Sequence, residues 1–291
     1  MINANTRSLL TDAMTPPAGY QFDAGIATTY SLDLNTLLSI PLHLAWMATE
    51  ESERRLSDPI RLLEALRRTA GRLTIFAERS RIQAPQQPHA LIGLLEDMIF
   101  EARAPHGGAF HPKVWLLRFT AGEVAPAILR LLVLSRNITA DVSWDLSLSL
   151  EGRPGRKPFA ANRPLVEFLD ALPGLCTKEL PEGRRNLAEQ LLAQCRCCDW
   201  ELPGNFETIA FHPLGIGPKP CSWAVPHSDD LGVISPFVSA HAVAEYGPGR
   251  VQLAVQTICF GIYVGRSGRA GFPYLVPFAG PLEPAFKSRR P

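Results

Sequence analysis

A chain of 291 residues with 46% hydrophobic and 20% charged residues has the composition of a globular protein, long enough for one large or two modest domains. Its formal net charge of +1 excludes a global basic field, so any polyanion must be met by local basic clusters. No stretch reaches the roughly 18 uninterrupted apolar residues of a membrane span; Leu32 to Met47 comes nearest and is broken by Asp33, Asn35, Pro41 and His43. Met1 to Tyr20 is polar, carries Pro16 and Pro17, and lacks a basic segment followed by an apolar core, so no signal peptide is expected and the expected location is cytoplasmic.

Gln21 to Tyr30 reads as the opening strand, and Asp33 or Asn35 as the cap of a following helix. Ile60, Leu63 and Leu66 have helical spacing from Pro59 onward, after Ser57-Asp58 as a cap, and Gly71 is expected to end the helix. Arg72 to Phe76 then reads as a short buried strand. This β-α-β order predicts parallel pairing and an α/β fold, a mixed sheet flanked by helices. Leu91 to Ala102 predicts a short helix running into a strand, broken by Gly107-Gly108 before Phe110. Lys113 to Phe119 and Ile128 to Leu134 predict a hairpin around Gly122 and Pro126. Trp144 to Leu150 alternates as a half-buried strand, and Gly152 to Pro164 reads as a linker or surface loop.

Beyond it, Leu165 to Leu172 and Asn186 to Cys195 predict helices, and Glu207 to Phe211 and Leu231 to Ile234 predict strands. The expected organisation is a first domain over residues 1–155, a partial second half over 156–245, and an atypical tail over 246–291. In that tail Glu283 is the sole acidic residue, while Arg, Gly and Pro continue to the end. It reads either as a final strand with a disordered end or as a sequence foreign to the fold. Of six cysteines, Cys195, Cys197 and Cys198 cluster, and Cys176, Cys221 and Cys259 stand apart. No second knuckle has zinc spacing, so reduced thiols are expected and no metal or cofactor is called for.

The chemistry concentrates in Phe110-His111-Pro112-Lys113. In an extended strand His111 and Lys113 share a face. A neutral imidazole there can attack phosphorus while the ammonium neutralises non-bridging oxygens. The next strand ends in Ser135-Arg136-Asn137-Ile138-Thr139, and a hairpin returns Asn137 toward His111. The Asn137 amide can donate to a phosphate oxygen, and Ser135 and Thr139 add hydroxyl donors.

These residues resemble the phospholipase D superfamily, whose signature is H-x-K followed on the next strand by Asn: here His111, Lys113 and Asn137. Arg118 stands where that family usually has Asp, five positions after the Lys. This, with the S-R-N-I-T strand end and Trp144-Asp145, is most similar to the tyrosyl-DNA phosphodiesterase branch. Thr28-Thr29-Tyr30 also resembles the end of the first strand in bacterial relatives. The resemblance implies a half-site fold and metal-independent phosphodiester hydrolysis through a phosphohistidine, with His111, Lys113 and Asn137 catalytic and Ser135, Arg136 and Thr139 on the substrate.

The family builds its site from two H-x-K motifs, one His attacking and the other protonating the leaving oxygen. Of seven histidines here, only His111 has Lys two positions on. His212 follows Phe211 and precedes Pro213, but position 214 is Leu; Lys219 is too distant, and His227 and His241 lack a partner. A homodimer could supply a second His111 in trans. The alternative is a non-catalytic nucleic-acid-binding or interaction module, or a truncated pseudoenzyme. Nucleic acid is the expected partner, held by Arg136 and by Arg153, Arg156 and Lys157, and no membrane is expected. Trp115 and Trp144 are expected in the core rather than as base-stacking surfaces.

Overall fold

A computed structural model describes residues 9–47, 59–87, 90–141, 145–204 and 206–216, and the backbone of three later strands. A short helix α1 (Leu10–Met14) precedes β1 (Gln21–Thr29) and β2 (Leu32–Asp33). Asp33 then caps α2 (Leu34–Met47), its Oδ1 accepting the Thr36 N–H at 2.7 Å. Pro59 opens α3 (Pro59–Arg72), where its missing N–H costs nothing. The helix runs through Gly71 rather than ending there. Its inward face is Ala65, Leu66, Thr69 and Ala70, whereas Ile60 is exposed. The predicted cap Ser57-Asp58 lies outside the described residues.

β3 (Leu73–Glu78) and β4 (Ile82–Gln83) follow, then a 3₁₀ segment (Ala90–Met98) that delivers β5 (Ile99–Ala102). β6 (Val114–Thr120) and β7 (Ile128–Leu134) form the expected antiparallel hairpin. β8 (Ser147–Pro154) takes in Gly152, Arg153 and Pro154, which the sequence placed in a loop. The reason is β9 (Cys198–Trp200), a short strand without a periodic signature, which pairs with them in the register Gly152↔Trp200 and Pro154↔Cys198. Between them lie α4 (Arg163–Ala171) and α5 (Glu182–Arg196). β10 (Thr208–Phe211), β11 (Asp230–Ile234), β12 (Arg250–Ala254) and β13 (Ile262–Gly265) complete the described elements. The latter four form two separate pairs, β10 with β13 and β11 with β12, so parts of the atypical tail are extended and paired.

The fold is α/β, with a mixed seven-stranded sheet in the order β5-β3-β1-β6-β7-β8-β9. β5, β3 and β1 are parallel, and every pairing from β1 onward is antiparallel. Each central strand is apolar on both faces because both faces are covered. Along β7, Leu129, Leu131 and Val133 join the core beneath α4 and α5, whereas Ile128, Leu132 and Leu134 join the core beneath α2 and α3. Each such leucine contributes on the order of 1.5–3 kcal/mol. Trp115 is 1% exposed and belongs to the second core.

Polar side chains tie the layers at the end of the sheet where β1 begins. Asp23 accepts from both Arg72 of α3 and Arg118 of β6, and Arg118 also donates to Gln194 of α5. Arg184, on α5 and 7% exposed, donates to the carbonyls of Ala70 and Leu73, satisfying groups that the end of α3 would otherwise leave open. No helix among the described residues is long and apolar enough to cross a membrane.

β8 and β9 meet with no room for a side chain at Gly152. A Cβ there would lie 2.6 Å from the Cys198 Sγ and still closer to the Asp199 carbonyl oxygen. Gly152→Ala should therefore destabilise the fold by about 2 kcal/mol or more, since backbone cannot yield cheaply. Gly71 is helical with open space around its Cβ direction, so Gly71→Ala should stabilise by about 0.5–1 kcal/mol. Urea midpoints of the two variants should shift in opposite directions; a common sign would contradict the packing described.

Candidate active site

The parallel strands β1, β3 and β5 all run toward one edge of the sheet, and the antiparallel hairpin brings the start of β6 and the end of β7 to the same edge. His111 and Lys113 enter there, just before β6. The ladder extends one bond beyond Val114, because the Leu134 N–H donates to the Lys113 carbonyl at 2.9 Å. Lys113 is 0% exposed, and its Nζ lies 3.1 Å from His111 Nδ1 and 3.3 Å from Nε2. Nζ also donates to the His111 carbonyl at 3.3 Å. The two side chains meet just before the strand begins, and the ammonium rests directly on the imidazole.

Burial, and secondarily the Lys113 charge, lower the His111 pKa to about 3. The ring is therefore neutral at physiological pH, which leaves a nitrogen lone pair for bonding. Tyr30, at the exit of β1, packs its ring 4.5 Å from that of His111, at 53° between planes. On Tyr30 the Arg81 guanidinium sits 5.2 Å from the ring centroid.

Asn137 reaches this edge through Tyr30. Its Oδ1 accepts the N–H groups of Tyr30 and Ser31 at 3.3 and 3.4 Å. Only an oxygen can receive two N–H donors, so the orientation of the amide is set and its NH₂ group stays a donor. The segment around it is stitched to β1 and β2: the Ile138 N–H donates to Thr29 Oγ1 at 3.1 Å, and the Asp33 N–H donates to the Ile138 carbonyl at 2.8 Å.

Ser135, Arg136 and Thr139 stand beside Asn137 and are bonded within their own loop. The Ser135 hydroxyl donates to Asp145 Oδ1 at 2.7 Å and accepts the Leu146 N–H at 2.9 Å. Arg136 pairs with Asp145 at 3.1 Å and donates to the carbonyls of Thr139 and Asp141. The Thr139 hydroxyl donates to Asp141 Oδ2 at 3.1 Å. These bonds hold the loop that carries Asn137. Trp144, next to Asp145, lies outside the described residues.

Arg118, where the resemblance expects Asp, is 6% exposed and pairs with Asp23, toward the other end of β6. Arg153 is also remote: it pairs in register with Asp199 and donates to the Tyr20 hydroxyl, just before β1. At about 3.4 Å per strand residue, it lies roughly 20 Å along β8 from the edge that carries His111. The basic loop picked out by composition therefore does not adjoin His111. His212 follows β10, which packs beside Ala160–Asn162; His227 and His241 lie outside the described residues.

The sequence reading missed four charged neighbours and underused Tyr30. Glu78 ends β3, accepts the Phe110 N–H, and has its pKa raised chiefly by burial. Arg79 and Arg81 follow it in a tight turn, and Arg103 follows β5. Their signal was topological: residues just after parallel strands share the edge where those strands end. The described cysteines, Cys176, Cys195, Cys197 and Cys198, are free thiols.

No family model matches this chain, and no curated protein matches it. Among solved structures, a variant of yeast tyrosyl-DNA phosphodiesterase is similar over 64% of this chain, with 13% identity and a TM-score of 0.40. The matched part is 36% of that chain, so this chain spans about a third of its length.

The His111 environment fixes a sign for pH. Its folded pKa lies below the unfolded value near 6.5, so between about pH 3 and 6.5 the unfolded chain binds the extra proton. This group therefore makes stability rise with pH across that window and adds no slope above it. In ring-proton NMR titrations His111 should stay neutral from about pH 5 to 8. Lys113→Met should raise its midpoint without restoring the ordinary value, since burial is the larger cause. A wild-type midpoint near 6.5 would contradict this environment.

Proposed function

We propose that the protein is a metal-independent phosphodiesterase of phospholipase D type acting on nucleic acid. The observation that carries this reading is the buried Lys113 ammonium 3.1 Å from a neutral His111 imidazole at a sheet edge, with the Asn137 amide held beside Tyr30. An uncharged nitrogen nucleophile and a fixed positive charge are the two requirements for attack on a phosphodiester without a metal.

In the unliganded site the ammonium bonds to the ring. An arriving phosphate offers non-bridging oxygens as stronger acceptors, and the ammonium turns to them, releasing the ring lone pair. A His111 ring nitrogen then bonds to phosphorus, and the bond to the leaving oxygen breaks. That oxygen takes a proton from a general acid. Water next attacks the phosphohistidine and gives up a proton to the base left by that acid, the P–N bond breaks, and a phosphate monoester departs. Lys113 and the Asn137 NH₂ stabilise the charge on the equatorial oxygens in both steps.

For the general acid we propose the His111 of a second copy, whose pKa the bound phosphodiester anion raises above its unliganded value so that this ring enters the step protonated. With one H-x-K in the chain, a two-fold axis is the arrangement that places two such pairs face to face. The single motif also favours a second reading, a nucleic-acid-binding module that keeps the fold without turnover.

Acid-quench trapping with a labelled oligonucleotide separates the two. The wild type should retain label and His111→Ala should not. Lys113→Met should slow turnover by about 3 kcal/mol in the transition state. Asn137→Ala should cost less, about 1 kcal/mol, because it removes neutral hydrogen bonds. Equal hydrolysis by wild type and His111→Ala would place the chemistry elsewhere; neither turnover nor label from a confirmed dimer would leave the binding module.

Activity should also survive EDTA, because Lys113 already supplies the positive charge at phosphorus. Loss in chelator with recovery on added magnesium or zinc would reject the metal-free mechanism.

A further inference from the structure

Three arginines crowd the edge beside His111. Arg79 and Arg81 flank Ser80 in the turn after β3, and Arg103 follows β5, with all three side chains exposed. The turn is held open in a conformation that favours glycine: Ser80 has φ +64°, the Arg81 N–H donates to the Glu78 carbonyl at 3.2 Å, and the Ser80 N–H donates to Glu101 Oε1 at 3.2 Å. The Arg79 N–H donates to the Ala102 carbonyl at 2.9 Å, which sets the turn against the exit of β5 and next to Arg103.

The neighbouring carboxylates form no direct ion pair with this cluster, although the charges of Arg81 and Arg103 act on Glu78. Glu78 is directed at the Phe110 N–H and Glu101 at the Ser80 N–H. Among the described residues none of the three guanidinium groups forms an ion pair. Arg136, by contrast, is bonded inside its loop, and Arg153 lies at the far end of the sheet. Tyr30 bridges the cluster to the nucleophile, with Arg81 on its ring and His111 packed against it. A chain with a phosphate at His111 would therefore run close to Arg81, across Tyr30.

We propose that Arg79, Arg81 and Arg103 form the phosphate-tracking rim for a single nucleic-acid strand whose scissile phosphate lies at His111. This deepens, and rests on, the phosphodiesterase reading above. Each guanidinium meets a non-bridging oxygen, while the Tyr30–Arg81 stack offers a planar surface to a splayed base. Charge rather than base identity governs the contact, so binding is salt-dependent and tolerant of sequence.

The test measures anisotropy of a labelled single-stranded oligothymidylate across about 50–200 mM salt. Arg79→Ala/Arg81→Ala/Arg103→Ala should bind at least about tenfold more weakly, with a log–log salt slope shallower by about 2, at roughly 0.7 per lost contact. The corresponding triple Lys variant should keep most of the slope, which a merely structural role would not predict. Arg153→Ala/Arg156→Ala/Lys157→Ala, at the far end, should bind like wild type. The proposal is overturned if wild type does not bind, if the rim variant binds like wild type, if the Lys variant loses as much as the Ala variant, or if the distal variant carries the loss. Phosphatidylserine vesicles that displace the oligonucleotide through the same arginines would likewise overturn it in favour of a lipid surface. Acid-quench trapping on the same samples separates the two readings. Rim-dependent binding without label keeps the rim and removes catalysis, whereas label with rim-independent binding does the reverse.

Discussion

The site depends on two buried hydroxyls at the end of β1. Thr28 Oγ1 accepts the Val114 N–H at 2.8 Å and donates to the Val114 carbonyl at 3.3 Å, fixing the start of the H-x-K strand. Thr29 Oγ1 accepts the Ile138 N–H at 3.1 Å and donates to the Ser31 carbonyl at 2.8 Å, fixing the loop that carries Asn137. Both threonines are essentially inaccessible, at 1% and 0% exposed. In that setting an unpaired hydroxyl or amide would cost about 1–3 kcal/mol, so these bonds are enforced by burial rather than merely permitted. One strand end thus registers the strand that follows His111 and Lys113 on one side and the Asn137 loop on the other. Tyr30, the next residue, occupies the space between them.

This explains what the sequence revealed and what it hid. β1, β6 and β7 were legible because strands buried on both faces read as unbroken apolar runs, and His111 and Lys113 were legible because a strand gives i and i+2 one face. Asp33 was legible as a cap because capping is local. β9 was not: its three residues, Cys198–Trp200, have no period, and their strand state comes from pairing with β8. The same pairing drew Gly152 into the sheet, where its missing side chain lets two backbones approach; composition alone reads such a Gly/Pro stretch as a loop. Gly71 misled in the opposite direction. A glycine near a helix end is a stop signal on average, but Arg184 satisfies the carbonyls of Ala70 and Leu73, so the helix end is set by a partner 111 or more residues away.

Charge shows the same divide between composition and position. The net charge of +1 sums cations in unlike settings. Arg118, Arg130 and Arg184 are buried and bonded, to Asp23, to Glu151, and to backbone carbonyls respectively. They bind elements together and offer nothing to a ligand. Arg136 serves its own loop in the same manner. Arg153, Arg156 and Lys157 drew notice because they are close in sequence, yet strand direction carries Arg153 to the end of the sheet opposite His111.

Arg79, Arg81 and Arg103 show no run of charge, and two of them are joined to the third only through the pairing of β3 with β5. Parallel strands place their exits side by side, so residues far apart in sequence become neighbours at the edge where chemistry can be assembled. The neutral balance of the chain therefore says little about whether it can hold a polyanion. At this edge the two nearby carboxylates accept backbone N–H groups, Glu78 from Phe110 and Glu101 from Ser80, while the charges of Arg81 and Arg103 act on Glu78. Glu78 in this way holds the approach to His111 while leaving neighbouring guanidinium groups without an ion pair among the described residues. Because its carboxyl is itself shifted upward by burial, the bond to Phe110 is made in a poorly solvated setting, where electrostatic interactions are stronger than in water. The same carboxylate thus ties the arginine-bearing turn to Phe110, the residue before His111, while the Arg81–Tyr30–His111 contacts join the same two segments by a second route.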